Sequence, residues 1–178
     1  MGNTCTTAQF DMTLETLLKD SAAYNLWAHT RLVNWLKNHP SDLLEHEMAS
    51  SFPTIALTLL HIWGAEKVWH ERLCQAPLEP FLSQTFQGTT EEVLQGLLKM
   101  SETFATYVDE LPEGDFHAYC DFRLLNGTAD RRIRSTMIHH CMNHSSYHRG
   151  QVVTMARSVG LTDPPQMDYI LYVRQKNA

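Results

Sequence analysis

Long stretches with apolar residues at helical spacing alternate along this chain with short breaks marked by proline and glycine. Residues 13–38 carry Leu14, Leu17, Leu18, Leu26, Trp27, Leu32, Trp35 and Leu36, and Pro40 follows as a stop. That pattern predicts a first long amphipathic helix. A second is predicted from about Phe52 to Cys74, with Ser51 as its N-cap and Pro53 tolerated in the first turn. Pro77 and Pro80 prevent its continuation. In "TTEE", Thr89 and Glu92 form a capping box that opens a third helix, ending near Leu111 and Pro112. The fourth begins near Ser135 and stops at Gly160, a residue suited to a left-handed terminus. Between the third and fourth lies "FHAYCDFRLLNGTADRRIR", where Asn126-Gly127 between β-prone flanks predicts a tight hairpin. "DYILYV", after Pro164 and Pro165, is expected as a short helix or an extended segment against the bundle. Four long helices of similar length predict an all-α four-helix bundle with a short β-hairpin between helices 3 and 4. We expect a single domain over residues 1–178.

The core-facing stripe of the predicted fourth helix runs Met137, Cys141, His144, His148, Val152, Met155, Val159. Its steps of three and four residues are those of a buried seam, so His144 and His148 stand where Leu or Val would be expected. Two imidazoles there need hydrogen-bond partners or a ligand, since an unpaired buried polar group costs about 1–3 kcal/mol. Histidines four residues apart also chelate a metal from one helix, as in the HExxH motif. Ser145, Ser146 and Tyr147 intervene here, so the glutamate base of that motif is missing. A donor must then come from a facing helix. His61, in the apolar run "LTLLHIWGAEKVW", is the best candidate. Cys141, also on the stripe, competes as third ligand, and His140 competes as a ligand or an outer partner. His29 and His39 lie near polar neighbours, His46 and His117 fall in expected loops, and His70 lies on the far face of its helix. Spacing alone does not decide between hydrogen-bonded core histidines and a metal site.

Composition narrows the class. With 43% hydrophobic and 19% charged residues the chain is neither disordered nor a membrane protein, and its apolar runs are too short to span a bilayer. A net charge of −6 disfavours nucleic-acid binding, which rests on clustered cations. "RRIR" at 131–134 is the one basic cluster and reads as a solvated or ion-paired rim. Cys5, Cys74, Cys120 and Cys141 are irregularly spaced and form no CxxC pair; with no signal peptide recognised, they read as reduced thiols in a cytoplasmic protein. "MGNTCT" matches the myristoylation pattern, with Cys5 placed for a second acyl chain, but so short a pattern recurs by chance and a frayed terminus is expected.

"NHSSYHRGQV", "LLHIWGAEKVWHERL" and "YNLWAHTRLVNWL" together resemble the DinB family of bacterial proteins, within the DinB/YfiT-like group of metal-binding four-helix bundles. The resemblance covers nearly the whole chain in order, including the hairpin and the "DPPQMDYILY" tail. It implies three histidine ligands, His61 from helix two with His144 and His148 from helix four, and a left-handed bundle with a long crossover. His140 matches a further family histidine that is not carried over as a ligand. Many such proteins form homodimers, and relatives include transferases and isomerases that use mycothiol or bacillithiol.

Three neutral imidazoles leave a divalent ion open to water or substrate, whereas a closed structural site offers four protein ligands. An open ion points to a metal-dependent enzyme, and the resemblance to thiol-dependent relatives implies the thiol-transferase type, acting on a low-molecular-weight thiol and a small electrophile. The alternative is a bundle merely stabilised by its metal, or a stress-related metal-binding protein. Zn or Ni is expected first, then Fe. No general base stands out. Gly150 is expected to admit a neighbouring helix or to lie at the surface, and Gln151 to bond a ligand or substrate or to have a surface or packing role. Arg149 is expected to ion-pair away from the stripe, and Trp27, Trp63 and Trp69 to pack in the core.

Overall fold

Hydroxyl caps and one glycine turn set the ends of the main elements. The structure, a computed structural model, describes residues 12–176 apart from Leu78 and Leu125. "MGNTCT" thus lies outside the described residues. Helix α1 (Leu14–Leu36) opens at Thr13, whose hydroxyl accepts from the Thr16 N–H at 3.2 Å. A single turn, α2 (Ser41–Leu44), leads to α3 (Ile55–Leu73), which starts at Thr54 rather than at the expected Ser51. The reason is local: an N-cap oxygen accepts from the second or third helical N–H. After Ser51 the second of these would be Pro53, which has none. Thr54 Oγ1 instead accepts from Leu57 N–H at 3.0 Å.

After the single turn α4 (Leu82–Thr85), α5 (Thr90–Glu110) begins at the expected capping box. Glu92 Oε2 accepts from the Thr89 N–H at 2.7 Å, and the Glu92 N–H donates back to Thr89 Oγ1 at 3.3 Å. A 3-10 turn (Glu113–His117) precedes β1 (Tyr119–Arg123) and β2 (Ala129–Ile133), an antiparallel pair with Tyr119 opposite Ile133. Gly127 turns it at φ +83°. The basic rim is ion-paired, Arg131 with Asp121 at 3.5 Å and Arg132 with Asp130 at 3.0 Å. Helix α6 (Arg134–Ser158) and the tail helix α7 (Tyr169–Lys176) complete the fold. Among the described residues no helix is long and apolar enough to cross a membrane.

The four long helices form the bundle, α5 and α6 each packing against both α1 and α3. Its interior is apolar at both ends and polar at the waist. Leu32, Leu36, Leu59, Ile62, Leu97 and Val152 fill one end. Ala22, Leu73, Phe104, Met137, Ile138 and Cys141 fill the other. Between these clusters every long helix contributes buried polar residues: Asn25 and His29, Glu66, Ser101, and Ser145 with Arg149. Glu66 Oε1 accepts from Asn25 Nδ2 at 2.7 Å and Ser145 Oγ at 3.0 Å, and Oε2 accepts from Ser101 Oγ at 2.6 Å. Arg149 donates to Asn25 Oδ1 and, at 3.2 Å, to His29 Nε2. His29 Nδ1 therefore carries the proton and donates to Ser101 Oγ at 2.8 Å. His29 also approaches Glu66 at 3.5 Å, but burial and the Arg149 charge hold it well below its ordinary pKa, so this is no ion pair at neutral pH.

Two expectations fail here. Arg149 does not point outward but is 3% exposed, because α6 is rotated so that Ser145 and Arg149 share its inner face with the apolar seam. Trp27, Trp63 and Trp69, expected in the core, are only half-buried; Trp63 lies against Phe86, and Trp69 against Phe122 and His140. His29, marked in the sequence only by its polar neighbours, is fully buried and hydrogen-bonded by Ser101 and Arg149 from other helices.

Candidate metal centre

Three histidines converge where α3 faces α6, level with the polar waist. His61 comes from α3, and His144 and His148 from successive turns of α6. Each offers a ring nitrogen, and the three nitrogens lie within 4.8 Å of one another. His61 Nε2 and His144 Nε2 stand 3.0 Å apart. Two nitrogens each about 2.0–2.1 Å from one ion are separated by roughly 2.9–3.4 Å between octahedral and tetrahedral angles. The His61–His144 pair already has that spacing, and the three together could hold a divalent ion. Among the described residues no fourth His, Cys, Asp or Glu joins it.

The rings are neutral imidazoles. Burial, then the neighbouring His148, pushes the His61 imidazole down to about 4. Burial and the surrounding His148, His61 and His140 bring His144 to about 4 as well. His148 is lowered by burial and partly restored by its hydrogen bond to Gln151. All three are neutral at pH 7 and can offer a lone pair.

Gln151 resolves one choice the sequence left open. Its Oε1 lies 2.6 Å from His148 Nδ1, while its Nε2 donates to the Tyr147 hydroxyl at 3.2 Å. Read together, these bonds put the His148 proton on Nδ1 and leave Nε2 free, the arrangement common to ligating histidines with an outer acceptor. His144 differs, since its Nδ1 is buried without a hydrogen-bond partner among the described residues.

Aromatic rings frame the site. Phe52 stacks on His61 with centroids 4.2 Å apart and meets His148 edge-on at 5.8 Å. Phe81 reaches His61 at 6.0 Å. Its approach depends on Gly64, where a Cβ would lie 3.3 Å from the Phe81 ring. Tyr147 is exposed and packs edge-on against His148 at 5.0 Å. Beside it opens a cleft of about 610 Å³ lined by Met48, Ala49, Tyr147, Gly150, Gln151 and Met155, among others.

The competing donors do not join the group, although the centre of the His140 ring lies 6.1 Å from that of His144. Cys141 is fully buried in the apolar end, which raises its thiol pKa. His140 sits against Trp69 with centroids 4.7 Å apart. His70 packs edge-on against Tyr107 of α5. Cys74, Cys120 and Cys141 are free thiols. Of the two roles expected for Gly150 the structure shows the surface one: it is exposed, and among the described residues a Cβ there would meet nothing within 4 Å.

The profile of the DinB family matches residues 10–177. This chain belongs to the DinB family. It is 27% identical over 157 residues to the protein called DinB from Bacillus subtilis (strain 168), covering 84% of this chain and 90% of that protein. A crystal structure of a DinB-like protein from Bacillus cereus ATCC 10987 shares its fold with a TM-score of 0.67, at 21% identity and covering 84% of this chain and 94% of that one. The bundle is thus a DinB-type fold carrying a three-histidine group that could hold a metal.

Sequence reasoning missed the waist network around this group. A usable signal was present: Asn25 and His29 are four residues apart on α1, as are Ser145 and Arg149 on α6. Each pair is a polar stripe within a helix that buries most of one side.

Proposed function

We propose that His61, His144 and His148 bind one divalent metal ion, Zn or Ni first and Fe next, and that the protein is a metal-dependent enzyme of thiol-transferase type. The carrying observation is three neutral imidazoles whose nitrogens meet within 4.8 Å without a fourth protein donor among the described residues. Such a set leaves coordination positions for a substrate. A divalent ion would supply Lewis acidity, favouring the ionised form of a bound thiol.

This chain's own residues supply orientation and shelter. Gln151 holds His148 in the tautomer that frees Nε2. The Tyr147 hydroxyl accepts from Gln151 and keeps its own hydrogen for a polar group of a ligand. Phe52 and Phe81 shield one side of the imidazoles, and the cleft beside Tyr147 offers an apolar wall with several hydroxyl and amide groups. A low-molecular-weight thiol with a small electrophile as substrates, a homodimer and a bacterial cytoplasmic setting are adopted from the DinB resemblance.

The non-catalytic reading keeps the ion as a stabiliser of the bundle. The half-exposed His61 and His144, beside aromatic rings and an open cleft, favour the enzyme over a sealed site. Metal analysis of protein made without an affinity tag or added nickel comes first. A panel of small thiols and electrophiles should then show a metal-dependent rate, lost in His148→Ala while the chain stays folded. Loss of metal that lowers only the melting temperature, with no rate across the panel, would favour the stabiliser.

A further inference from the structure

We propose that the buried network centred on Glu66 is a positioning device for the triad, setting the rotation and height of α6 against α3. This inference rests on the reading of the triad as a metal centre. Both α6 histidines are followed directly by a network residue: Ser145 after His144 and Arg149 after His148. Successive helical residues differ by about 100° around the axis, so each α6 histidine of the triad has a network residue about 100° further round, and the two pairs recur one turn apart. Helix α3 carries the opposite half, with His61 in the triad and Glu66 in the network.

Apolar packing is non-directional and tolerates small rotations of a helix, whereas hydrogen bonds prefer narrow angles. At the waist the directional contacts dominate. Ser145 Oγ donates to Glu66 Oε1 at 3.0 Å, tying α6 to α3 one residue beyond His144. Arg149 ties α6 to Asn25 and His29 of α1 one residue beyond His148. Asn25 closes the loop onto Glu66 at 2.7 Å.

His144 makes the dependence specific. His148 has Gln151 to orient its ring, but among the described residues His144 Nδ1 has no hydrogen-bond partner. No outer acceptor fixes where His144 Nε2 points, so its placement 3.0 Å from His61 Nε2 depends on the position of α6 itself. Ser145, Glu66, Asn25 and Arg149 are positioning residues on this account, touching neither metal nor substrate.

The test compares Ser145→Ala and Glu66→Gln with Leu97→Ala, which removes apolar packing from the same bundle without touching the network. Affinity for zinc ion alone is measured by chelator competition, with melting temperature in parallel. Both network variants should bind zinc at least about 10-fold more weakly, whereas Leu97→Ala should melt earlier with its zinc Kd unchanged. If Glu66→Gln fails to fold, the milder Ser145→Ala carries the comparison. Imidazole nitrogen NMR of the metal-free protein supplies a second readout: the shared His61–His144 hydrogen bond should be lost or averaged in the network variants and kept in Leu97→Ala. Network variants with wild-type zinc affinity and unaltered imidazole signals would overturn the proposal. Wild-type protein that binds no zinc, nickel or iron would instead overturn the metal reading, and the NMR comparison would still decide whether the network positions the rings.

Discussion

Two histidine-bearing regions lie side by side at the waist of the bundle, and they solve the cost of buried polarity in opposite ways. In the network around Glu66, both carboxylate oxygens accept hydrogen bonds and both His29 nitrogens are engaged. In the triad, two Nε2 atoms face each other at 3.0 Å and His144 Nδ1 has no hydrogen-bond partner among the described residues. A satisfied network needs nothing more to persist, and its worth lies in fixing geometry. Convergent lone pairs on neutral rings are incomplete without a cation or shared proton. Both regions hold imidazoles at the waist, and what separates them is whether the ring nitrogens have partners.

The contrast breaks first under substitutions that strand a buried charge. Arg149→Met or Glu66→Ala should cost about 3–5 kcal/mol in denaturant unfolding of the metal-free protein, because the remaining partner stays buried without compensation. A loss below about 1 kcal/mol, the scale of an exposed ion pair, would show that the network contributes little to stability.

Ligand substitutions should behave differently. His61→Ala, His144→Ala and His148→Ala should each abolish stoichiometric metal, while Cys141→Ala keeps it. The stabilisation forfeited is the binding linkage, about 2.7 kcal/mol at free metal 100-fold above Kd. In metal-free protein the same three variants should unfold close to wild type. Metal analysis and melting curves with and without metal check both halves, and full metal retention in His61→Ala would defeat the ligand assignment.

Acid sharpens the comparison further. His61 and His144 are held at about 4 when folded, against about 6.5 in an unfolded chain. Between those values the unfolded chain binds more protons, so their contribution to metal-free stability is complete above about pH 6.5 and falls as pH drops toward 4. His29 acts in the same direction, and buried Glu66, raised above its ordinary value, acts in the opposite one. A His61→Ala, His144→Ala double variant therefore isolates the triad: its urea midpoint should fall less than that of wild type between about pH 7 and 4.5. Parallel curves would mean that the triad rings titrate normally. Bound metal should extend the stable range downward, since a protonated imidazole cannot ligate.

The smallest effect belongs to Gly150, on the exposed side of α6 just after His148 and Arg149. Because an added Cβ meets nothing within 4 Å among the described residues, Gly150→Ala should stabilise the helix by about 0.5–1 kcal/mol with metal affinity unchanged. Destabilisation in urea titration would point to a contact at that surface, such as a second copy of the chain.

Much of this was legible in the sequence because its causes are local. The Thr89–Glu92 box, the Asn126-Gly127 turn and the proline stops each involve residues a few positions apart. The i, i+4 spacing of His144 and His148 likewise fixes their shared side before any partner helix is known. His61 stood out as the best third donor from its place in an apolar run, and the family resemblance agreed, while spacing alone left Cys141 and His140 in competition. The cap at Thr54 was missed although its cause, the absent N–H of Pro53, was also local.

The amino-acid sequence by itself determined the four amphipathic helices, the hairpin, and a pair of imidazoles on one side of α6. Only the tertiary structure decided how far α6 is turned in its socket. A seam read from spacing is uncertain by about one residue, or roughly 100° of helix. That angle is what sends Ser145 and Arg149 inward to Glu66 and Asn25 and leaves His144 at the edge facing His61. Partners from α1, α3 and α5 set it through hydrogen bonds spanning 35 to 124 residues of chain, and no local rule along one helix contains those distances.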